Sequence, residues 1–305
     1  MCFFAFFDAN SLCLCAYYSC GNEMCAGDDM DTPVVSVVIP CYKGEKHLGA
    51  AIESVLGQSF RSVEVIVVDD KSPDRCAEIA DRYAQQDERV RVIRRAENGG
   101  VARAWNTGFT AAKGKYFLRL AQDDWLKPGA IETMVTFLDA NPDVGLTYAP
   151  MDIVTEEGEL LVTYVTPEVS PLLPSNKMGL CAMWRRSVWE RVGMFDPKCD
   201  FAEDYDYWLR ASLVGKLARC CDRPLLNFRH HGEQNSATGE KRQQIAARRA
   251  LYKQAWMRVR REPWRLCRWW QALRATGAWL REPLVERVLM GGRDARSEVG
   301  ITGEK

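Results

Sequence analysis

Residues 34–43 read VVSVVIPCYK, residues 63–74 read VEVIVVDDKSPD, and residues 115–125 read KYFLRLAQDDW. Each begins with a β-branched or aromatic run too short for a helix and ends on polar residues. Between them, His47–Leu56 spaces Leu48, Ile52 and Leu56 along one helical stripe, and Pro73–Gln86 does the same with Ile79, Ala80 and Tyr83. Val90–Ile93 reads as a further strand. Gly99-Gly100 introduces a helix over Val101–Ala112, and Pro128 stands at a favoured first position for a helix over Gly129–Leu138. Near-continuous apolar strands alternating with helices predict an α/β fold whose mostly parallel sheet is covered on both faces.

After Pro142 the pattern becomes α+β. Ile153–Val165 reads as a hairpin around Glu156-Glu157-Gly158, Pro167–Met178 as a long proline-containing loop, and Asp204–Val214 as a helix. From Gly239 onward the chain is helical in pattern, basic and rich in Trp. These shifts predict an extension over 1–31, a catalytic domain over 32–238 with halves at 32–150 and 151–238, and a helical C-terminal tail over 239–305. The apolar segment before Met24 lacks the basic start and small-residue cleavage site of a signal peptide. It is also too interrupted to span a membrane, so it reads as a dispensable extension.

The 305 residues are 47% hydrophobic and 27% charged, enough apolar material for a large core. Formal net charge is zero, which argues against a dedicated nucleic-acid partner. Five of the twelve cysteines precede residue 26, with neither a nearby His nor C-x-x-C spacing. Cys41, Cys181 and Cys220 lie in apolar runs and read as small buried hydrophobes.

In sheets of this kind ligands bind beyond the carboxyl ends of the strands. No G-x-G-x-x-G follows the first strand and no G-x-x-x-x-G-K-[ST] occurs, which weakens dinucleotide and P-loop readings. The strand ends carry acid pairs instead, Asp69-Asp70 and Asp123-Asp124. Adjacent carboxylates repel unless a cation or hydrogen-bond donors compensate them. A divalent cation (Mn²⁺ or Mg²⁺) bridging them to a substrate diphosphate would do so. Helix-capping and exposed turns are the competing reading.

Read in order, VSVVIPCYKGEKHLGAAIESVLGQSF, VEVIVVDDKSPD, ENGGVARAWNTGFTAAKGKYFLRLAQDDWLKPGAIE, GLCAMWRRSVWERVGMFDP, FAEDYDYWLR and NFRHHGEQNS resemble glycosyltransferase family 2 over residues 34–236. The resemblance implies a GT-A fold, with a nucleotide-binding half and a smaller α+β acceptor half. It also implies an inverting transferase with a nucleotide-diphosphate sugar donor and a saccharide or lipid-linked saccharide acceptor. It assigns nucleotide-sugar contacts to Pro40, Tyr42, Asp70, Asn98 and Asp123, with Asp70 reading the base. Asp124 and His231 become metal ligands and Asp204 the catalytic base, while Glu203, Arg229 and Trp125 fall on the acceptor or phosphate side. Two positions depart from the family pattern. Ala121 replaces the first acid of its D-x-D-D element, and Trp105 stands where an Arg often precedes the matching Asn106.

Competing structural readings stand beside these assignments. Acids in the first turn of a helix, such as Glu203 and Asp206, satisfy free N–H groups, and His230 and His231 can be exposed loop residues. Trp184, Trp189 and Phe195 read as core. The loss of the first D-x-D-D acid also leaves open a catalytically inactive partner subunit that binds nucleotide sugars. From Lys241 to Arg274 there are eleven basic residues against one acid, with tryptophans interleaved. That tail suits either packing on the domain or a peripheral membrane contact through 241–281. The expected setting is cytoplasmic, at the inner face of the plasma membrane if the tail binds lipid, and the expected role is cell-surface polysaccharide or glycolipid synthesis.

Overall fold

The computed structural model describes residues 32–166, 178–199 and 201–231. The expectations for the extension over 1–31, the loop over 167–177 and the tail beyond 231 lie outside these residues.

The elements in chain order are β1 (Val35–Cys41), α1 (Leu48–Leu56), β2 (Val63–Asp69), α2 (Cys76–Gln86), β3 (Val90–Arg94), α3 (Val101–Ala111), β4 (Tyr116–Arg119) and β5 (Trp125–Leu126). Then follow α4 (Ala130–Ala140), β6 (Val144–Tyr148), β7 (Met151–Val154), β8 (Leu160–Tyr164), β9 (Ala182–Arg185), α5 (Arg186–Val192), α6 (Glu203–Ala211), β10 (Lys216–Arg219) and β11 (Leu226–Arg229). The larger sheet has seven strands in the order β10-β6-β9-β4-β1-β2-β3. Its ladders are parallel except where β9 runs antiparallel between β4 and β6. This is the mostly parallel sheet predicted by the alternation, with one reversed strand that the alternation did not reveal.

Successive strand residues face opposite sides of the sheet, so each β-branched run fills two cores. Val35, Val37 and Ile39 pack with Val65 and Val67 against Leu48, Ile52, Ala80, Ile131 and Leu138 of α1, α2 and α4. Val38, Ile66 and Val68 face the other way, toward Trp105, Phe109, Phe117, Trp184, Phe195 and Trp208 around α3 and α6. All of these side chains are at most 1% exposed. Each contributes about 1.5–3 kcal/mol by leaving water. Trp184 and Phe195 are core, as read from the sequence, and Trp189 packs partly buried against them. Pro40 is tolerated in β1 because the β4 ladder ends at Val38, two residues earlier.

The smaller sheet has the order β5-β11-β7-β8. β7 and β8 form the expected hairpin, and β8 is its outer edge, with Leu160, Leu161 and Val162 more than half exposed. Three local expectations need correction. Gly129, at φ 72°, precedes the first residue of α4, so Pro128 lies outside that helix. α6 ends at Ala211, and the residues up to Val214 continue as i→i+3 turns. Cys41 and Cys181 are buried, but Cys220 is only partly so. No helix among the described residues is long and apolar enough to cross a membrane.

Candidate active site

The carboxyl ends of β1, β2 and β4 and the smaller sheet bring the acids together. Tyr42 leaves the end of β1 41% exposed, with Lys43 beside its ring in the left-handed region at φ 53°. The turn is pinned from several directions. The Gln122 side-chain amide accepts the Tyr42 N–H at 2.8 Å and donates back to the Tyr42 carbonyl at 3.1 Å. Ser72 Oγ accepts the Lys43 N–H at 2.8 Å, and Asp74 accepts that of Glu45 at 3.0 Å.

Asp69 and Asp70, adjacent in sequence, do different work. Asp69 accepts the Ser72 N–H at 2.9 Å and closes the turn after β2. Asp70 is 3% exposed, and its carboxylate accepts the backbone N–H groups of Gly99 (3.1 Å) and Gly100 (2.8 Å) and pairs with Arg95. Asn98 donates its side-chain amide to the Asp70 carbonyl at 3.1 Å. Asp70 therefore organises the loop after β3. Compensation of the Asp69-Asp70 pair comes from hydrogen-bond donors and one guanidinium.

The second acid pair is met from across the chain. β11 runs antiparallel to β5, with Asn227 opposite Trp125. This pairing sets the Arg229 N–H 3.1 Å from Asp124 Oδ1 and Arg229 Nε 3.0 Å from the Asp123 carbonyl, over a separation of 105 residues for the first contact. The guanidinium lies 4.5 Å from the centre of the Trp125 ring, where an Arg over an indole gains cation–π attraction. His231 Nε2 is 3.6 Å from Asp123 Oδ2. The two histidines thus separate, since His230 is exposed while the His231 side chain is 12% exposed and faces the acids.

Asp124 is 2% exposed. Burial first, and the charge of Asp123 second, push its carboxyl up to about 8. The carboxylates of Asp123 and Asp124 and the His231 imidazole at this sheet end are hard-to-borderline donors, and a cation beside Asp124 would relieve the burial that opposes its charge. Among the described residues no three His, Cys, Asp or Glu side chains close on one point. A cation here would therefore take its remaining ligands from water and phosphate oxygens, and on those terms the residues fit one.

At the start of α6, Glu203, Asp204 and Asp206 are all buried. Asp206 pairs with Arg210 at 2.8 Å within the helix, and Arg210 in turn donates to the carbonyls of Val192 and Met194. Asp206 is thus held by an ion pair within the helix. Asp204 behaves differently. Its Oδ2 is 3.4 Å from Arg119 Nη1, at the end of β4, and the charge of Arg119 is also felt by Asp124.

Sequence reasoning missed Arg119, Gln122 and His47. The His47 ring lies 5.5 Å from that of His231, and burial and the nearby Arg229 charge hold it below its usual range. Glu156, at the tip of the β7–β8 hairpin, pairs with Lys46 and lies 3.9 Å from His47. Its carbonyl accepts from Arg229, so the hairpin tip is docked beside the acids. The one sequence signal for His47 was rarity, because the chain has three histidines.

An α/β sheet of this order, with acids massed beyond its carboxyl ends, defines a nucleotide-dependent transferase fold of the GT-A class. Residues 36–187 match the family described as Glycosyl transferase family 2. The chain belongs to that family. It is 28% identical over 232 residues to an uncharacterized glycosyltransferase of Haemophilus influenzae, covering 71% of this chain and 72% of that one. It is 31% identical over 221 residues to the uncharacterized glycosyltransferase EpsJ of Bacillus subtilis, covering 65% and 62%. The crystal structure of S. aureus TarS 1-349 in complex with UDP-GlcNAc superposes with a TM-score of 0.60 at 20% identity, over 71% of this chain and 65% of that one. The match thus spans less than two thirds of EpsJ and of TarS 1-349. The likeness to TarS establishes the fold.

Proposed function

We propose that the chain transfers a sugar from a nucleotide-diphosphate donor of the UDP or dTDP type to an acceptor hydroxyl, inverting the anomeric centre. The observation that carries this reading is the convergence at one sheet end of Asp123, Asp124, Arg229 and His231, joined to Asp204 through Arg119. Tyr42 offers an exposed ring on which a base can stack. Asp70, with its neighbours Asn98 and Gly99, shapes the base end of the site, and Pro40 lies one residue before the end of β1. Asp204 takes the proton of the acceptor hydroxyl while that oxygen bonds to the anomeric carbon. The bond from that carbon to the diphosphate oxygen breaks, and the nucleoside diphosphate leaves with the electron pair. Asp124 and His231, with Asp123 beside them, would hold a divalent cation, which would supply charge neutralisation for a departing diphosphate. Arg229, fixed on Trp125, adds a second positive charge on the same side, and Glu203 borders the acceptor side. A saccharide or lipid-linked saccharide acceptor, used in assembling a cell-surface polysaccharide or glycolipid, fits this reading.

Calorimetric titration of UDP, dTDP and GDP into the protein, with Mn²⁺ and then with EDTA, tests the donor side. Tight binding of one nucleotide that EDTA abolishes is the expected result, and failure of all three to bind the folded protein would overturn the reading. In the same assay D204N keeps nucleotide binding while transfer falls by on the order of 100-fold or more. Near-normal turnover by D204N would remove Asp204 as the base.

A further inference from the structure

Arg119 is the last residue of β4 and is 8% exposed. A guanidinium so far from water is costly unless its charge is answered. No ladder or turn contact explains it. Its Nη1 makes no hydrogen bond among the described residues and lies 3.4 Å from Asp204 Oδ2. Its Cζ lies 5.1 Å from the centre of the Trp105 ring. Trp105 is itself 1% exposed and held by Phe109 and Phe195, at centroid distances of 5.8 and 6.4 Å. The guanidinium thus rests on a rigid aromatic floor with Asp204 as its ionic partner, and Asp124 also feels its charge.

We infer that Arg119 is the positioning residue for Asp204. Supported on Trp105, it supplies the counter-charge that lets a buried carboxylate stay at the head of α6, where the Tyr205 N–H holds the other carboxylate oxygen at 2.7 Å. It acts through Asp204. This inference rests on the reading of Asp204 as the acceptor base. Its geometry, a pair spanning β4 and α6, stands without that reading.

The test compares R119M, which keeps the stem and loses the charge, with R119K, which restores a charge without the planar fork. In R119M, kcat is expected to fall by on the order of 100-fold while the donor KM and the affinity for UDP stay within about threefold. R119K should recover at least about a tenth of the wild-type kcat. Loss of donor affinity with kcat retained, or wild-type kcat in folded R119M, would overturn the assignment. A cycle of R119M, D204N and the double variant in urea provides a readout independent of turnover. The double variant is expected to lose less in midpoint than the two singles summed, because removing both charges leaves neither one buried alone. Strict additivity would deny the pair. If the wild-type protein transfers sugar from no donor, the proposed function fails, and the urea cycle still decides whether Arg119 and Asp204 are coupled.

Discussion

Burial opposes the charge of Asp124. Its carboxyl titrates near 8 in the folded protein, raised by burial and by Asp123, against about 4 in an unfolded chain. Between those values the folded state binds a proton that the unfolded state has lost. Its contribution to stability is therefore full below about pH 4 and is lost as pH rises through about 8. D124N removes the titration. In EDTA, the urea stability of the wild type relative to D124N is expected to fall by roughly 4–5 kcal/mol between pH 4.5 and 8.5. A flat difference would show that Asp124 ionises freely. With Mn²⁺ the sign reverses, because the cation needs the ionised form, and its affinity should rise up to about tenfold per pH unit below 8. The pair Asp123-Asp124 stood out in the sequence as adjacent acids after an apolar run, with an exposed turn as the competing reading, whereas Asp204 and His231 were singled out by the family resemblance. Arg119 was not legible. It sits inside a strand pattern, and only the packing of α3 and α6 on that strand gives it Trp105 beneath and Asp204 beside it.

At the scale of elements, the Gln122 amide is the pin on the β1–α1 turn that grips both backbone groups of Tyr42. A Cβ on Gly44 would fall within the side-chain amide of Gln122, which is already committed to both backbone groups of Tyr42. G44A must therefore expel Gln122. It should weaken UDP binding by roughly tenfold, the worth of one to two neutral hydrogen bonds. Q122A should do the same, and the double variant should add little, since both remove one clamp. Additive losses in the titration would mean that the two residues act separately. Apart from β5, the strands and helices up to α4 were legible to within about three residues, because buried parallel strands have to be continuously apolar and their covering helices amphipathic. β9 was hidden for the opposite reason. It has four residues and leads directly into α5, too little chain for any periodicity to develop. The pairing of β5 with β11 was equally invisible, since a two-residue strand has no signature and its partner lies about 100 residues away.

Across the whole molecule, the larger sheet and the hairpin sheet both supply the acid cluster, so ligand binding should stabilise the fold as a unit. UDP with Mn²⁺ at about 100 times Kd is expected to add about 2.7 kcal/mol, raising Tm by roughly 5–10 °C, and EDTA should reverse the shift. An unchanged Tm under saturating ligand would separate the cluster from nucleotide binding. The order of the larger sheet has a further consequence, for synthesis. β3, β2, β1 and β4 can pair as soon as residue 119 has been made, but β4 and β6 are joined by β9, which ends at Arg185. Until that strand emerges from the ribosome, β4 presents a bare edge of unpaired backbone groups, the kind of surface on which nascent chains associate wrongly. About a quarter of the described residues are made after that edge and before the strand that covers it, so completion of the sheet late in translation sets the interval in which this protein most needs a chaperone.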